Sequence, residues 1–290
     1  MFLAPAFVLL GVFFFIPFFQ TIFLSFLDYS NSIYEPVWTG FGNYAEILRS
    51  SLFLKTILNT FWFMILCVPF LVVSPLFLAV LINQKIRGIT LYKLIIYLPV
   101  IISIVVVAIA FKWLYAQNGL LNYALDVATK TFELLHLPLR LPPVGWLTDP
   151  RVAMVSIAIV TIFKGVGYYM MIYLAALMSV PRELYEASEI DGANEWQKHM
   201  NVTLPHLMPT IALVATISSI SALKVFVEIY VMTKGGPLDS TKTIVYYIYE
   251  RAFENLDLGV ASAASVILLI IVMAFSIVNI FCFERKKYDL

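Results

Sequence analysis

Charge is what this 290-residue chain has least of: Asp, Glu, Lys and Arg make up 13% of it, against 61% hydrophobic residues. A soluble domain carries about 25% charged residues to cover its surface, so the deficit excludes one of this size. A mean hydropathy of +0.90 says the same, and the chain reads as an integral membrane protein. A net charge of +1 excludes the basic stripe of a nucleic-acid binder. The two cysteines, Cys67 and Cys282, both fall inside apolar runs and read as small buried hydrophobes, not as a disulfide framework. His136, His199 and His206 lack metal-ligand spacing and read as solvated or capping side chains. No G-x-x-x-x-G-K-[ST] loop occurs, so any ATP-driven work belongs to another chain. No Ser/His/Asp or paired-carboxylate constellation lies inside an apolar run, which argues against an intramembrane enzyme.

What the sequence does hold is six apolar stretches near or above the spanning length of about 20 residues. They cover approximately residues 3–26, 57–82, 91–115, 152–178, 207–231 and 260–283, so the expected fold is an all-α polytopic membrane protein, one transmembrane domain over 1–290. The first run lacks the basic flank and small-residue cleavage site of a signal peptide and reads as a spanning helix kinked at Pro17. Because it begins almost at residue 1, a short basic leader ahead of it is expected. Loops on the side of both termini hold Lys85, Arg87, Lys93, Arg182, Lys198, Arg285, Lys286 and Lys287 in roughly 46 residues, about twice the basic density of the other side. Both termini and the 179–205 loop are therefore expected in the cytoplasm.

That loop interrupts the apolar pattern with two short helices and a turn. Pro181 sets a helical start near Arg182, Glu183 and Glu186; Asp191-Gly192 ends the first helix where glycine accepts a positive φ; a second runs from about Ala193 to Asn201 until Pro205 breaks it. Leu184, Ala187 and Ser188 share a face ringed by Glu183, Glu186 and Glu189, a geometry suited to docking. A solvated loop with ordinary caps is the alternative on physics alone. The wording goes further. Glu186-Ala187-Ser188, Gly192 after three residues, Val202 after nine more and Leu204-Pro205 resemble the EAA loop of ABC-importer permeases, with Ser188 in place of the second Ala and Val202 in place of Ile.

Four ionisable residues fall within the apolar runs. Lys112, between Phe111 and Trp113, reads as a snorkelling side chain. Lys224 and Glu228, four apart on one face, read as a local ion pair or as a substrate contact. Lys164 is central in the fourth run, where a lysine costs about 3 kcal/mol unless it faces water or a partner. With Phe163, Gly165, Gly167, Tyr168 and Tyr169 beside it, the stretch offers donors, aromatic faces and close backbone approach, the mixture a sugar needs.

On the outer side, GFGNY at 40–44 reads as a turn and a helix start. Leu121, Leu125, Ala128, Phe132 and Leu135 share one face of an interfacial helix, with Trp113, Tyr115 and Trp146 as aromatic anchors. Thr233 to Pro237 forms a tight turn, with Ser240 or Thr241 capping a helix that carries exposed Tyr246, Tyr247 and Tyr249, for protein or sugar contact or for interfacial anchoring. The small residues from Gly259 to Ser265 suit close helix packing.

Further landmarks extend the resemblance over nearly the whole chain: Asn59-Thr60, Leu98-Pro99, Gly119 to Asn122, Ala175-Ala176-Leu177, Asp191-Gly192-Ala193 and the T-x-G-G-P turn followed by Thr241 look like those of carbohydrate-uptake permeases of the maltose or glycerol-phosphate type, the first of the two in such systems. The resemblance implies a type I importer architecture, a second related permease, two ATP-binding subunits that carry ATP and Mg, and an external solute-binding protein, in a prokaryotic cell membrane. It implies no cofactor in this chain. It makes Glu186, Ala187, Ser188, Asp191, Gly192 and Ala193 the coupling contact with the ATPase; Phe163, Lys164, Gly167, Tyr168, Lys224 and Glu228 candidates for the substrate path; and Gly235, Gly236 and Pro237 candidates for binding-protein contact. A permease for another polar solute such as glycerol phosphate, a secondary transporter, and a membrane scaffold are the alternatives.

Overall fold

The computed structural model describes residues 3–29, 36–83, 87–135 and 140–284. Lys85, His136, Arg285, Lys286 and Lys287 lie outside the described residues, as does the side chain of Cys282.

Three long helices make the centre: α4 (Ser51–Ile82), α8 (Ala153–Leu177) and α11 (Leu204–Leu223) pack on one another. Ser50 starts α4 by accepting a hydrogen bond from the Phe53 N–H, so the second span begins earlier than the apolar run. Its buried face carries Phe63, Cys67, Leu71 and Ala79 against Ile157, Val160, Tyr173 and Leu207. Small residues bring the last helix, α14 (Leu258–Glu284), into the second cluster, with Val260, Ala263 and Ala264 buried against Ile47, Phe53 and Tyr247. A Cβ on Gly259 would collide with the Leu27 carbonyl, which explains why the run opens on glycine.

The first span is α1 (Ala4–Leu10), a π-helical turn (Gly11–Phe15) and α2 (Ile16–Leu24). The expected proline kink is thus absorbed by a π-turn just ahead of Pro17, with Ile16 N–H reaching back to Gly11. After it, Leu27–Asp28 pairs antiparallel with Val37–Trp38, and α3 (Gly42–Arg49) opens at the GFGNY turn, where Gly40 sits at φ +60. Asn43 is buried there and donates to the carbonyls of Ser25 (2.9 Å) and Leu27 (2.8 Å), tying the first span to α3.

Two expected spans are not single helices. The run at 91–115 divides into α5 (Ile89–Ile101) and α6 (Ile104–Leu114), bent by 95° at Ile102-Ser103, which are extended. The run at 207–231 ends α11 at Leu223 and resumes as α12 (Val227–Met232). Counting the bent pair as one span, up to six helices among the described residues are long and apolar enough to cross a membrane.

The outer amphipathic helix is α7 (Leu120–Leu134), with Leu121, Leu125, Ala128 and Phe132 half-buried and Leu135 exposed. Of its expected anchors only Trp113 is exposed. Tyr115 is buried, donates to the Ser156 carbonyl (3.1 Å) and stacks on Trp146, whose Nε1–H donates to Asn122 Oδ1 (3.1 Å). These two rings hold the loop in place rather than anchoring it to lipid.

Candidate functional site

Midway along α8, Lys164 stands between both helix breaks. Pro99 and the bend at Ile102 leave the last carbonyls of α5 without helical partners. The Lys164 ammonium donates to one of them, Val100 O, at 3.2 Å, and a cation there also complements the helix C-terminus. Gly167, one turn on, makes the approach possible, because a Cβ at that position would run into the Ile96 carbonyl and meet Val100 Cγ2 at 3.0 Å.

Across from it, in the first turn of α12, Glu228 accepts a hydrogen bond from Thr161 Oγ1 at 3.1 Å and feels the charge of Lys164. Glu228 therefore turns to α8, and the expected Lys224–Glu228 pair does not form. The break at Lys224–Phe226 moves the two off a common helical face, and Lys224 is exposed at the end of α11. Sequence reading passes over Thr161, although its place three residues before Lys164 puts it on the same face. Phe163 and Tyr168 are exposed on α8, and Phe163 packs against Phe111 with centroids 5.4 Å apart. Lys112 donates to the Val231 carbonyl at 3.1 Å and ties α6 to α12. The structure thus brings together Lys164, Gly167 and Glu228 with Thr161, and leaves Lys224 apart.

The loop at 179–205 forms α9 (Arg182–Ile190) and α10 (Glu195–Lys198). Gly192, at φ +77, closes a Schellman motif: Ala193 N–H donates to Ser188 O (2.9 Å) and Gly192 N–H to Glu189 O (3.0 Å). Asn194 then starts α10 in a capping box with Gln197. Pro205 does not break the chain. A π-turn over His199–Thr203 carries α10 into α11, and Pro205, at the head of α11, has its missing N–H accommodated by that wider turn. Ser188 lies half-buried, its hydroxyl on the Tyr185 carbonyl, while Glu186 and Ala187 face outward with Leu184. Tyr185 and His199 both reach Thr203 Oγ1, at 2.9 and 3.2 Å, and fasten α9 to the π-turn.

At the other end, Thr241 donates to the Gly236 carbonyl (2.7 Å), and α4 holds the turn from below: Asn59 Nδ2 donates to Asp239 O (2.8 Å) and Lys242 O (2.9 Å). Buried Lys242 pairs with Asp239 (3.0 Å) and Glu250 (2.9 Å). Burial disfavours its charge, but the hydrogen bonds it donates to Glu250 and Asp239 outweigh that and leave its pKa raised. Gly235, at φ +80, is buried over Lys242 and Tyr246, whereas Gly236 and Pro237 line an open cavity of about 770 Å³ with Trp113, Gln117, Trp146 and Thr148. The helix that follows, α13 (Ile244–Tyr249), is entered through Thr243, neither Ser240 nor Thr241 caps it, and Tyr246 and Tyr247 are buried. Their hydrophobic neighbours explain the difference: Tyr247 packs on Phe53 of α4 with centroids 5.3 Å apart.

Among the described residues no group of His, Cys, Asp and Glu is placed to hold a metal ion.

Residues 38–283 match the family described as the binding-protein-dependent transport system inner membrane component. The chain is 32% identical to the probable ABC transporter permease protein YurN of Bacillus subtilis, over all of this chain and 97% of that one. It is 32% identical to the lactose transport system permease protein LacF of Rhizobium radiobacter, covering 99% and 94%. A crystal structure of a bacterial ABC transporter involved in the import of the acidic polysaccharide alginate superposes with a TM-score of 0.83 at 26% identity, covering 98% of this chain and 94% of that one.

Proposed function

The chain belongs to the family of binding-protein-dependent transport system inner membrane components, and from that premise we propose how its parts divide the work of an importer. It is a membrane permease of the carbohydrate-uptake ABC kind, as are relatives named for lactose and for arabinooligosaccharides. In this reading it forms the translocation path with a second, related permease. ATP and Mg are bound and hydrolysed on two partner subunits, and the chain itself catalyses no reaction. An external binding protein delivers the sugar at the 233–243 turn; a related transporter has been crystallised with its alginate pentasaccharide-bound periplasmic protein. Both termini and the 179–205 loop lie on the cytoplasmic side.

The observation that carries the reading is the loop at 179–205. Its first helix presents Leu184, Glu186 and Ala187 outward, yet is fastened through Tyr185 and Thr203 to the π-turn that enters α11. A push on α9 is therefore delivered to a spanning helix. That helix leads to the break at 224–226, and so to Glu228 and Lys164, the polar members of the proposed path. The test is sugar uptake into proteoliposomes containing the complete complex. Uptake should require ATP inside and stop when the partner ATPase is made unable to hydrolyse it; uptake driven by an ion gradient without ATP would refute the reading.

A further inference from the structure

A chain of aromatic rings runs from the break at 224–226 along α12 and onto the end of α13. Phe226 stacks on Tyr230 with centroids 5.4 Å apart, and both meet Tyr249, at 5.1 and 5.2 Å. Tyr249 in turn meets Phe253 at 5.3 Å. Tyr246, which is buried, lies against the first three. A packed core would cover the others too, yet Phe253 is 71% exposed, Tyr230 is 36% exposed, and Phe226 and Tyr249 are half-buried. The backbone beneath them is irregular as well. After Tyr249 the helix widens into a π-turn over Glu250–Glu254, closed by the Asn255 N–H on Glu250 O at 2.9 Å, and such turns are frequent at functional sites. Glu250 turns inward to Lys242, whereas Glu254, which a regular helix would stack on the same side, is exposed beside Phe253 and close enough for its charge to act on Tyr249.

We propose that Phe226, Tyr230, Tyr249 and Phe253, with Glu254, form a carbohydrate subsite that receives an oligosaccharide before it reaches Lys164. This rests on the functional reading above and deepens it. Aromatic faces suit the apolar C–H face of a sugar ring, and a free carboxylate accepts hydrogen bonds from its hydroxyls. The steps from Phe226 to Tyr249 and on to Phe253, 5.1 and 5.3 Å, are close to the spacing of successive rings in an oligosaccharide, so the platform holds more than one sugar unit. Its place fits a sugar in transit. α12 joins the break to the 233–243 turn, and Phe226 stands two residues from Glu228, so the rings span the distance between the turn and the polar path. A lipid-facing belt is disfavoured, because Glu254 would then turn a charge towards lipid.

The experiment measures initial uptake into proteoliposomes that hold the complete complex, with ATP inside and the binding protein outside. The probe is a mixture of neutral disaccharides and trisaccharides, each followed by mass spectrometry. Tyr249→Leu and Phe253→Leu keep an apolar side chain and remove the aromatic face, and each should lower uptake about three- to tenfold, the trisaccharides more than the disaccharides. Phe253→Trp, which restores a face, should recover most of the loss, a pattern that apolar packing would not produce. Glu254→Gln should lower uptake as well. Complex yield and the ATP hydrolysis stimulated by the binding protein should stay near wild type throughout. Wild-type uptake in Phe253→Leu and Tyr249→Leu overturns the proposal. Stimulated ATP hydrolysis that falls in step with uptake shows that the rings dock the binding protein, and a fall in complex yield with uptake per complex unchanged shows that they pack on the second permease; either result overturns it. If the wild-type complex takes up none of the sugars with ATP, the functional reading itself fails and this site with it.

Discussion

Replacing Lys164 by Met keeps the length of the side chain and removes its charge, and the structure says what that should cost. The hydrogen bond to Val100 O (3.2 Å) is lost, and bonds to charged groups contribute about 1.5–3 kcal/mol. Glu228 keeps the Thr161 hydroxyl (3.1 Å) but loses the positive charge facing it. Both side chains are half-buried and no ion pair joins them, so the lost attraction acts at longer range and adds to the hydrogen-bond loss. The double variant Lys164→Met/Glu228→Gln removes the unopposed charge and leaves mainly the hydrogen-bond loss. The expected order of thermal stability, measured on the purified complex, is wild type, then the double variant, then Lys164→Met. Uptake at equal expression should be low in both variants, because both remove the Lys164 ammonium and its donors from the polar path. A single variant as stable as wild type, or a double variant less stable than the single, would refute the argument that Lys164 neutralises Glu228.

Gly192 has open space around it, so substitutions there should act through φ +77 alone: coupling of ATP hydrolysis to uptake should fall in the order Gly, Asn, Ala, Val, with about 1–2 kcal/mol for the left-handed strain at Ala, and a Gly192→Val protein that couples normally would contradict the Schellman turn. At Gly167 the added Cβ of Ala would press on the Ile96 carbonyl, so Gly167→Ala should lower the complex's stability by about 1–3 kcal/mol, read as a fall in melting temperature. The clasp at Lys198 has a defined pH window. Its hydrogen bond to Glu189 raises the Lys198 pKa, and Glu195, hydrogen-bonded to Lys198, is held below the usual carboxylate range. The raised lysine contributes until pH climbs through its folded value, and the lowered carboxylate until pH falls through its own. The bridge should therefore hold α9 to α10 equally at pH 6 and pH 8, read as unchanged hydrogen-exchange protection of the turn between them, and protection lost between those values would contradict it.

How much of this was legible depended on how local the cause was. Gly192 at the end of α9 and the small residues of α14 follow from backbone conformation and side-chain volume at single positions, and both were readable. Lys164 stood out because a central lysine in an apolar run is costly wherever it points. Its partners were not readable. The break at Ile102-Ser103 is marked in the run at 91–115 only by Pro99 and Ser103, which an unbroken spanning helix can also carry; it is accommodated by Lys164 and Gly167 of another helix. Lys224 and Glu228 looked paired because a continuous helix was assumed through Phe226. Pro205 looked like a stop because the π-turn that absorbs it has no sequence signature of its own. Tyr246 and Tyr247 looked exposed because nothing near them in sequence announces Phe53, nearly two hundred residues earlier, as the surface that covers Tyr247.

The account requires the 179–205 loop to meet ATP-hydrolysing subunits and the 233–243 turn to meet the incoming sugar, so the two must lie on opposite sides of the membrane. Leu238 is 79% exposed, whereas the Ser240 hydroxyl is buried, so position 238 is the better outer probe; Arg182 is exposed in the first turn of α9. In a chain freed of Cys67 and Cys282, a single cysteine at 238 or at 182 can be labelled in intact cells with a membrane-impermeant thiol reagent. Leu238→Cys should label at once and Arg182→Cys only after the cells are opened. Labelling of Arg182→Cys from outside, with Leu238→Cys protected, would contradict the assignment of the loop to the ATPase and with it the route from ATP to the Lys164 site.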